Sequence, residues 1–213
     1  MSGTGTPNQP AYSIMAQPPQ QVPHSFQTLD RAQRAPYPRR EYIRKTLWSV
    51  VNLTVWKFPR AWGWRRFLLR LFGATVGNRA IFLATTKVMH PWLLEIGEYS
   101  TVGPGVTIYN LGRVTIGAHT VISQDSYICA GTHDYTVSYL PLQRVGIVIG
   151  TGVWIAARAF VGPGVRIGDN SVIGACAVVA SDVPEAVVVA GNPARVLKPR
   201  VMNKTPEASL ADQ

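Results

Sequence analysis

The sequence predicts a mainly β protein: a parallel β-helix of about five coils, with an N-terminal helical segment and one protruding loop. An apolar residue recurs at every sixth position through most of the chain, the hexads group in threes, and one long interruption sits at a coil boundary. A period of six fits neither a 3.6-residue helix nor the wider strand spacing of a sandwich.

The run Ile149, Ile155, Val161, Ile167, Ile173, Val179 is unbroken. Upstream the frame continues as Val76, Phe82, Val88, then Ile96, Val102, Ile108, then Ile116, Ile122, Ile128. Fourteen of these fifteen hexads begin with Ile or Val, the pattern of a continuous interior column. Three short strands joined by two-residue corners make a triangular coil of 18 residues. Stacked coils place equivalent residues about 4.8 Å apart. Eight hexads carry Gly next, at Gly77, Gly97, Gly103, Gly117, Gly150, Gly162, Gly168 and Gly174. The expectation is that these glycines relieve corners where φ turns positive. The fifth position is small in every hexad but that of Trp92, which suits a tight inner angle.

The interruptions set the coil boundaries. Coils run 76–93, 96–113, 116–133, 149–166 and 167–184, with two-residue joints at 94–95 and 114–115. The excursion 134–148 leaves from the same corner. A single long loop on a regular scaffold reads as a functional projection. The β-helix domain spans 76–199, and 200–213 form a C-terminal tail.

Of the net charge of +10, nine units lie in residues 1–75, so the β-helix is nearly neutral. That distribution argues against a nucleic-acid-binding body. Residues 1–40 are rich in Pro, Gln and Ser and read as a disordered tail. Two cysteines, Cys129 and Cys176, make neither a disulfide scaffold nor a zinc knuckle and point to a reducing cytoplasm. No run is apolar and long enough to span a membrane.

Residues 41–75 are a basic, amphipathic helical segment, which Pro59 divides into two helices. Two compatible readings stand. The helices cap the open first coil, as repeat folds require. Alternatively, residues 42–72 lie on the inner face of an anionic membrane, with Trp48, Trp56, Trp62 and Trp64 as anchors.

Of four histidines, His24 lies in the tail, His90 in the irregular first coil and His119 at an ordinary corner. His133 closes the third coil and opens the loop. Imidazole, with an ordinary pKa near about 6.5, suits a general base. In a regular stack its column neighbours are Arg113 and Arg166, whose charge would disfavour imidazolium. Asp134 follows, to orient the ring or bind an acceptor hydroxyl. Asn110, in the preceding coil, is a weaker candidate for acceptor binding. Cys129 and Cys176 read as packing residues.

The segments LLRLFGATVG (68–77), VISQDSYICAGTHDYT (121–136), VWIAARAFVGPGV (153–165) and IGDNSVIGACAVVASDVPEAVVVAGNPARVLKP (167–199) resemble the hexapeptide-repeat acyltransferases, over residues 72–199. They are most similar to the colanic acid and exopolysaccharide acetyltransferases. The resemblance implies a left-handed helix, a homotrimer, and acetyl-CoA in a groove between subunits. It implies O-acetyl transfer from acetyl-CoA to a saccharide hydroxyl, with His133 as catalytic base; the basic segment 42–72, if it lies at a membrane, would suit a lipid-linked acceptor. It places coenzyme contacts at Ala157, Ala175, Ala180, Ser181, Arg195 and Lys198, with Trp154 shaping the groove near the thioester. Ser181 stands where the family often has Lys. The Asn that galactoside enzymes use one coil before the His falls on Gly103, a departure that argues against a galactoside-type acceptor. Three other readings remain open: a small-molecule acceptor such as an antibiotic or serine, a γ-carbonic-anhydrase-like metal enzyme, and a non-catalytic scaffold. The metal enzyme needs three histidines at a subunit boundary, which His119 and His133 suit poorly. No metal is expected.

Overall fold

The computed structural model describes residues 38–56 and 62–202. The tail 1–37, the break at Pro59 and residues 203–213 lie outside the described residues. Helix α1 is Arg39–Thr54 and helix α2 is Trp62–Leu71. The first turn of the solenoid holds β1 (Thr75–Val76), β2 (Ile81–Phe82) and β3 (Lys87–Val88). A short 3-10 turn, Pro91–Leu93, leads to β4 (Leu94–Ile96), β5 (Thr101–Val102) and β6 (Thr107–Tyr109). The third turn is β7 (Val114–Ile116), β8 (Val121–Ile122) and β9 (Tyr127–Cys129). The loop contains β10 (Thr132–His133) and β11 (Leu142–Gln143). Two more turns follow: β12 (Ile147–Ile149), β13 (Trp154–Ile155), β14 (Phe160–Val161), then β15 (Arg166–Ile167), β16 (Val172–Ile173), β17 (Val178–Val179). A sixth, partial turn bridges Ile167 to Val183, and β18 (Val187–Gly191) and β19 (Ala194–Pro199) close the end.

Three parallel sheets form the faces of a triangular prism, in the orders β1-β4-β7-β12-β15, β2-β5-β8-β13-β16-β18 and β3-β6-β9-β14-β17. The pairs Val76↔Ile96, Ile96↔Ile116, Ile116↔Ile149 and Ile149↔Ile167 follow the hexad frame, with the joints and the loop absorbed between strands. All fifteen hexad-leading side chains are buried in one continuous core.

The corner chemistry differs from the sequence expectation. None of the eight second-position glycines has a positive φ. Positive φ falls two residues later, on ordinary residues such as Arg79, Tyr99, His119, Arg158 and Asn170. The glycines answer to close stacking instead. A Cβ on Gly117 would lie 2.5 Å from the backbone of Gly150 and Thr151 in the next turn. Gly117→Ala therefore forces backbone apart. It should cost about 1–3 kcal/mol, read as a melting point lower by roughly 3–10 °C.

Fifth-position hydroxyls do more than fit. Thr86, Ser100, Thr120, Ser126 and Ser171 donate to the carbonyls of Gly103, Gly117, Gly150, Ala156 and Pro184, tying each corner to the next turn.

The first turn leaves its carbonyls without a preceding coil, and the helices supply the donors. Trp48 Nε1 donates to Val88 O at 2.7 Å, Arg65 Nη1 to Phe82 O at 3.3 Å, Arg66 Nη1 to Ala80 O at 2.9 Å and Arg70 Nη2 to Val76 O at 2.6 Å. Trp48 and Trp56 are buried in this cap, packed edge-on at 5.6 Å. They are not membrane anchors, because both are buried in the core cluster at the end of the prism. Trp62's side chain lies outside the described part, and Trp64 remains partly exposed. At the far end β19 covers β18, and Arg200 Nη1 donates to Gly152 O and Asn170 O.

Candidate active site

His133 stands at the root of the loop. Its strand β10 does not continue the column but turns into an antiparallel pair with β11, Thr132↔Gln143 and His133↔Leu142. The side chain is exposed, and its Nδ1 lies 2.6 Å from the carbonyl oxygen of Leu140. A carbonyl only accepts, so Nδ1 carries the hydrogen. The neutral ring then holds its lone pair on Nε2, the arrangement a general base requires. Leu140 itself has φ +48, a conformation uncommon for a branched side chain, and it directs this carbonyl back at the ring.

Asp134 has another task. Its Oδ1 accepts from Thr136 N at 3.0 Å and from Thr136 Oγ1 at 2.6 Å. The Thr136 hydroxyl bond, then the amide bond, holds the carboxyl below its ordinary range. Asp134 N donates to Pro141 O, so the residue shapes both ends of the loop. The ring is oriented by Leu140, a role carried by main chain.

Two further expectations change. Arg113 and Arg166 do not flank His133 in a column. The residue paired with Arg166 is Val148, because the chain re-enters the sheet after the loop. Both arginines line a separate groove of about 370 Å³ with Val145, Gly146 and Gly164. Asn110 is fully buried, its Oδ1 accepting from His90 N at 2.9 Å and its Nδ2 donating to His90 O at 2.6 Å. It fastens the wide first turn to the second and offers no amide to an acceptor. Gly103 is buried at the corner after β5, packed on Ile122–Gln124, away from the loop corner.

His90 is the buried partner of Asn110. Burial pushes its pKa below the ordinary imidazole range, with the Asn110 carbonyl bond opposing. The unfolded chain takes up a proton near about pH 6.5 while the folded chain resists it. Stability should hold above about pH 7 and fall as pH drops below 6.5, by at most about 1.4 kcal/mol per unit. Melting points at pH 8 and pH 5.5 read this, and His90→Gln should flatten the difference.

A cleft of about 320 Å³ opens beside the hairpin, lined by Pro38, Arg40, Glu41, Arg44, Trp92, Leu93 and Arg144. Arg44 lies over the Trp92 ring at 4.6 Å, and Arg144 pairs with Glu41 at 3.7 Å. Arg144 is two residues beyond Leu142, the strand partner of His133. Sequence reasoning missed this cleft. Its one signal was Trp92, which breaks the small fifth position of its hexad. No group of three or more metal-ligating side chains occurs among the described residues.

The family model "Bacterial transferase hexapeptide (six repeats)" matches residues 146–181. The chain is 45% identical over 161 residues to a protein named for colanic acid biosynthesis, the acetyltransferase WcaF of Escherichia coli (strain K12), covering 75% of this chain and 88% of that one. The chain belongs to the hexapeptide-repeat acetyltransferases. A crystal structure of galactoside acetyltransferase in complex with coenzyme A superposes with TM-score 0.68 at 26% identity, covering 82% of this chain and 90% of that one. A hexapeptide-repeat acetyltransferase of Vibrio cholerae, VCA0836, complexed with acetyl coenzyme A, has the same fold, with TM-score 0.71 at 23% identity, covering 77% and 91%.

In this hexapeptide-repeat acetyltransferase the coenzyme candidates fall on separate edges of the prism. Ala157 and Ala175 stack at the corners after β13 and β16, where Cys176 N donates to Ala157 O. Ala180 and Ser181 follow β17, at the corner from which the loop departs two turns earlier, and both are exposed. Arg195 and Lys198 are exposed on β19, opposite Ala190 and Val188. Trp154 is half-exposed on the second face, and its Nε1 donates to Ser123 Oγ at 3.0 Å. One chain does not gather these residues around His133.

Proposed function

We propose that the protein is an acetyl-CoA-dependent O-acetyltransferase acting on a saccharide hydroxyl, with His133 as general base. The carrying observation is the imidazole held by the Leu140 carbonyl, which leaves Nε2 as the basic nitrogen. Nε2 takes the acceptor hydroxyl proton, the oxygen attacks the thioester carbonyl, the C–S bond breaks, and the leaving thiolate recovers the proton from the imidazolium. The coenzyme complex of the galactoside acetyltransferase and the likeness to WcaF support acetyl-CoA as donor and an exopolysaccharide precursor as acceptor. The cleft at Trp92 and Arg144 is the acceptor's place, beside the hairpin.

The reading includes a homotrimer. Ala157 and Ala175 sit on one edge and Ser181 on another, so a groove between two prisms joins them where one chain does not. The Tyr127–Phe160 ring stack, at 6.0 Å on the third face, is an apolar surface suited to such packing. A lipid-linked acceptor and a cytoplasmic site at a membrane's inner face complete the proposal. Among the described residues no helix is long and apolar enough to cross a membrane. A thiol-release assay with acetyl-CoA over a panel of neutral saccharides, sugar phosphates and antibiotics, run with sedimentation analysis, tests the reading. Turnover confined to the antibiotics, or an active monomer, would overturn it.

A further inference from the structure

The helical segment has two apolar faces, and the prism uses one. In α1 the covered face carries Trp48 and Val51, and Val55 just past the helix end also packs on the core. The opposite face carries Ile43, Leu47, Val50 and Leu53, at i, i+4, i+7 and i+10, a stripe along one side of a helix. In α2 Leu68 and Leu69 are buried, while Trp64, Phe67 and Leu71 face outward at i, i+3 and i+7. Ile43, Leu47, Val50, Leu53, Phe67 and Leu71 are 53 to 77% exposed. An uncovered patch of this length marks an interaction surface.

The polar groups on this side are already satisfied from within. Thr46, Ser49 and Thr54 each donate to the carbonyl four residues back. Trp64 Nε1 donates to Val55 O at 3.0 Å, and its ring stacks on Phe67 at 5.6 Å. Hydroxyls and indole therefore enter an apolar medium without losing a partner. The charge is one-sided. Arg39 lies at the head of the stripe and Arg66 and Arg70 beside the α2 face, whereas Glu41, the sole acid of residues 38–72, is turned to Arg144.

We infer that this face docks the enzyme on an anionic lipid bilayer, with Ile43, Leu47, Val50, Leu53, Phe67 and Leu71 entering the headgroup boundary. Basic flanks with an apolar stripe are the chemistry of an interfacial helix. The anchors are the aliphatic residues and Phe67 with its stacking partner Trp64, not Trp48 and Trp56, which the cap consumes. The inference gives the proposed membrane-side acceptor a physical basis, and its readout is independent of catalysis.

The test is vesicle flotation of the full chain, with phosphatidylcholine alone and with phosphatidylcholine containing phosphatidylglycerol. The wild type should float with the anionic vesicles and detach in high salt. The double variant Leu47→Glu, Phe67→Glu should lose at least about tenfold in partitioning. Its melting point, its sedimentation mass and its turnover of a water-soluble acceptor should be unchanged. Val121→Glu, an exposed apolar site on the second prism face, should bind as wild type. Failure of the wild type to float overturns the docking surface, as does a variant that floats equally well. A change of sedimentation mass in the variant overturns it too, assigning the face to a second copy. Binding without turnover would instead refute the proposed function alone.

Discussion

His133→Ala should lower kcat by about 10²–10⁴-fold while leaving the melting point unchanged. The ring is exposed and is held by the Leu140 carbonyl, so its removal opens no cavity. On the proposed mechanism the loss comes from the transition state, where the His133 ring takes the hydroxyl proton. Asp134 does not substitute, because its lowered carboxyl is committed to Thr136. Thiol release from acetyl-CoA measures the effect, with circular dichroism as the control for folding. A variant that keeps wild-type turnover would remove the base from the mechanism.

Arg65→Met should cost about 2–4 kcal/mol, a melting point lower by roughly 5–15 °C, with activity at low temperature retained. Arg65 is buried beneath the helical cap, and its guanidinium donates to Trp56 O at 3.1 Å and Phe82 O at 3.3 Å. Methionine keeps most of the apolar stem but leaves both carbonyls without that donor. The first turn would then open at an edge no other coil covers. Differential scanning calorimetry reads the loss. An unchanged melting point would show that the cap holds without the Arg65 bonds, through its apolar contacts and the donors of Trp48, Arg66 and Arg70.

The repeat was legible because its physics is local. Each hexad-leading side chain must point inward and each corner must stay narrow, so every turn writes the same pattern. The position of His133 was legible for the same reason: the frame stops there and resumes at Ile149. The glycine argument was right about where and wrong about why. Gly117 and its equivalents face backbone one turn away, a contact that no reading along the chain contains. Asn110 misled likewise, since an amide at a coil boundary looks the same whether it meets a sugar or the backbone of His90.

The sequence by itself determined the prism, its turn boundaries, the loop's corner and the histidine that stands there, because period and interruption are properties of the chain alone. Only the tertiary structure decided what each polar group does. A hydrogen bond joins residues brought together across turns. The Leu140 carbonyl on His133, the arginines on the open edge and the bare second face of the two helices exist only once the coils are stacked.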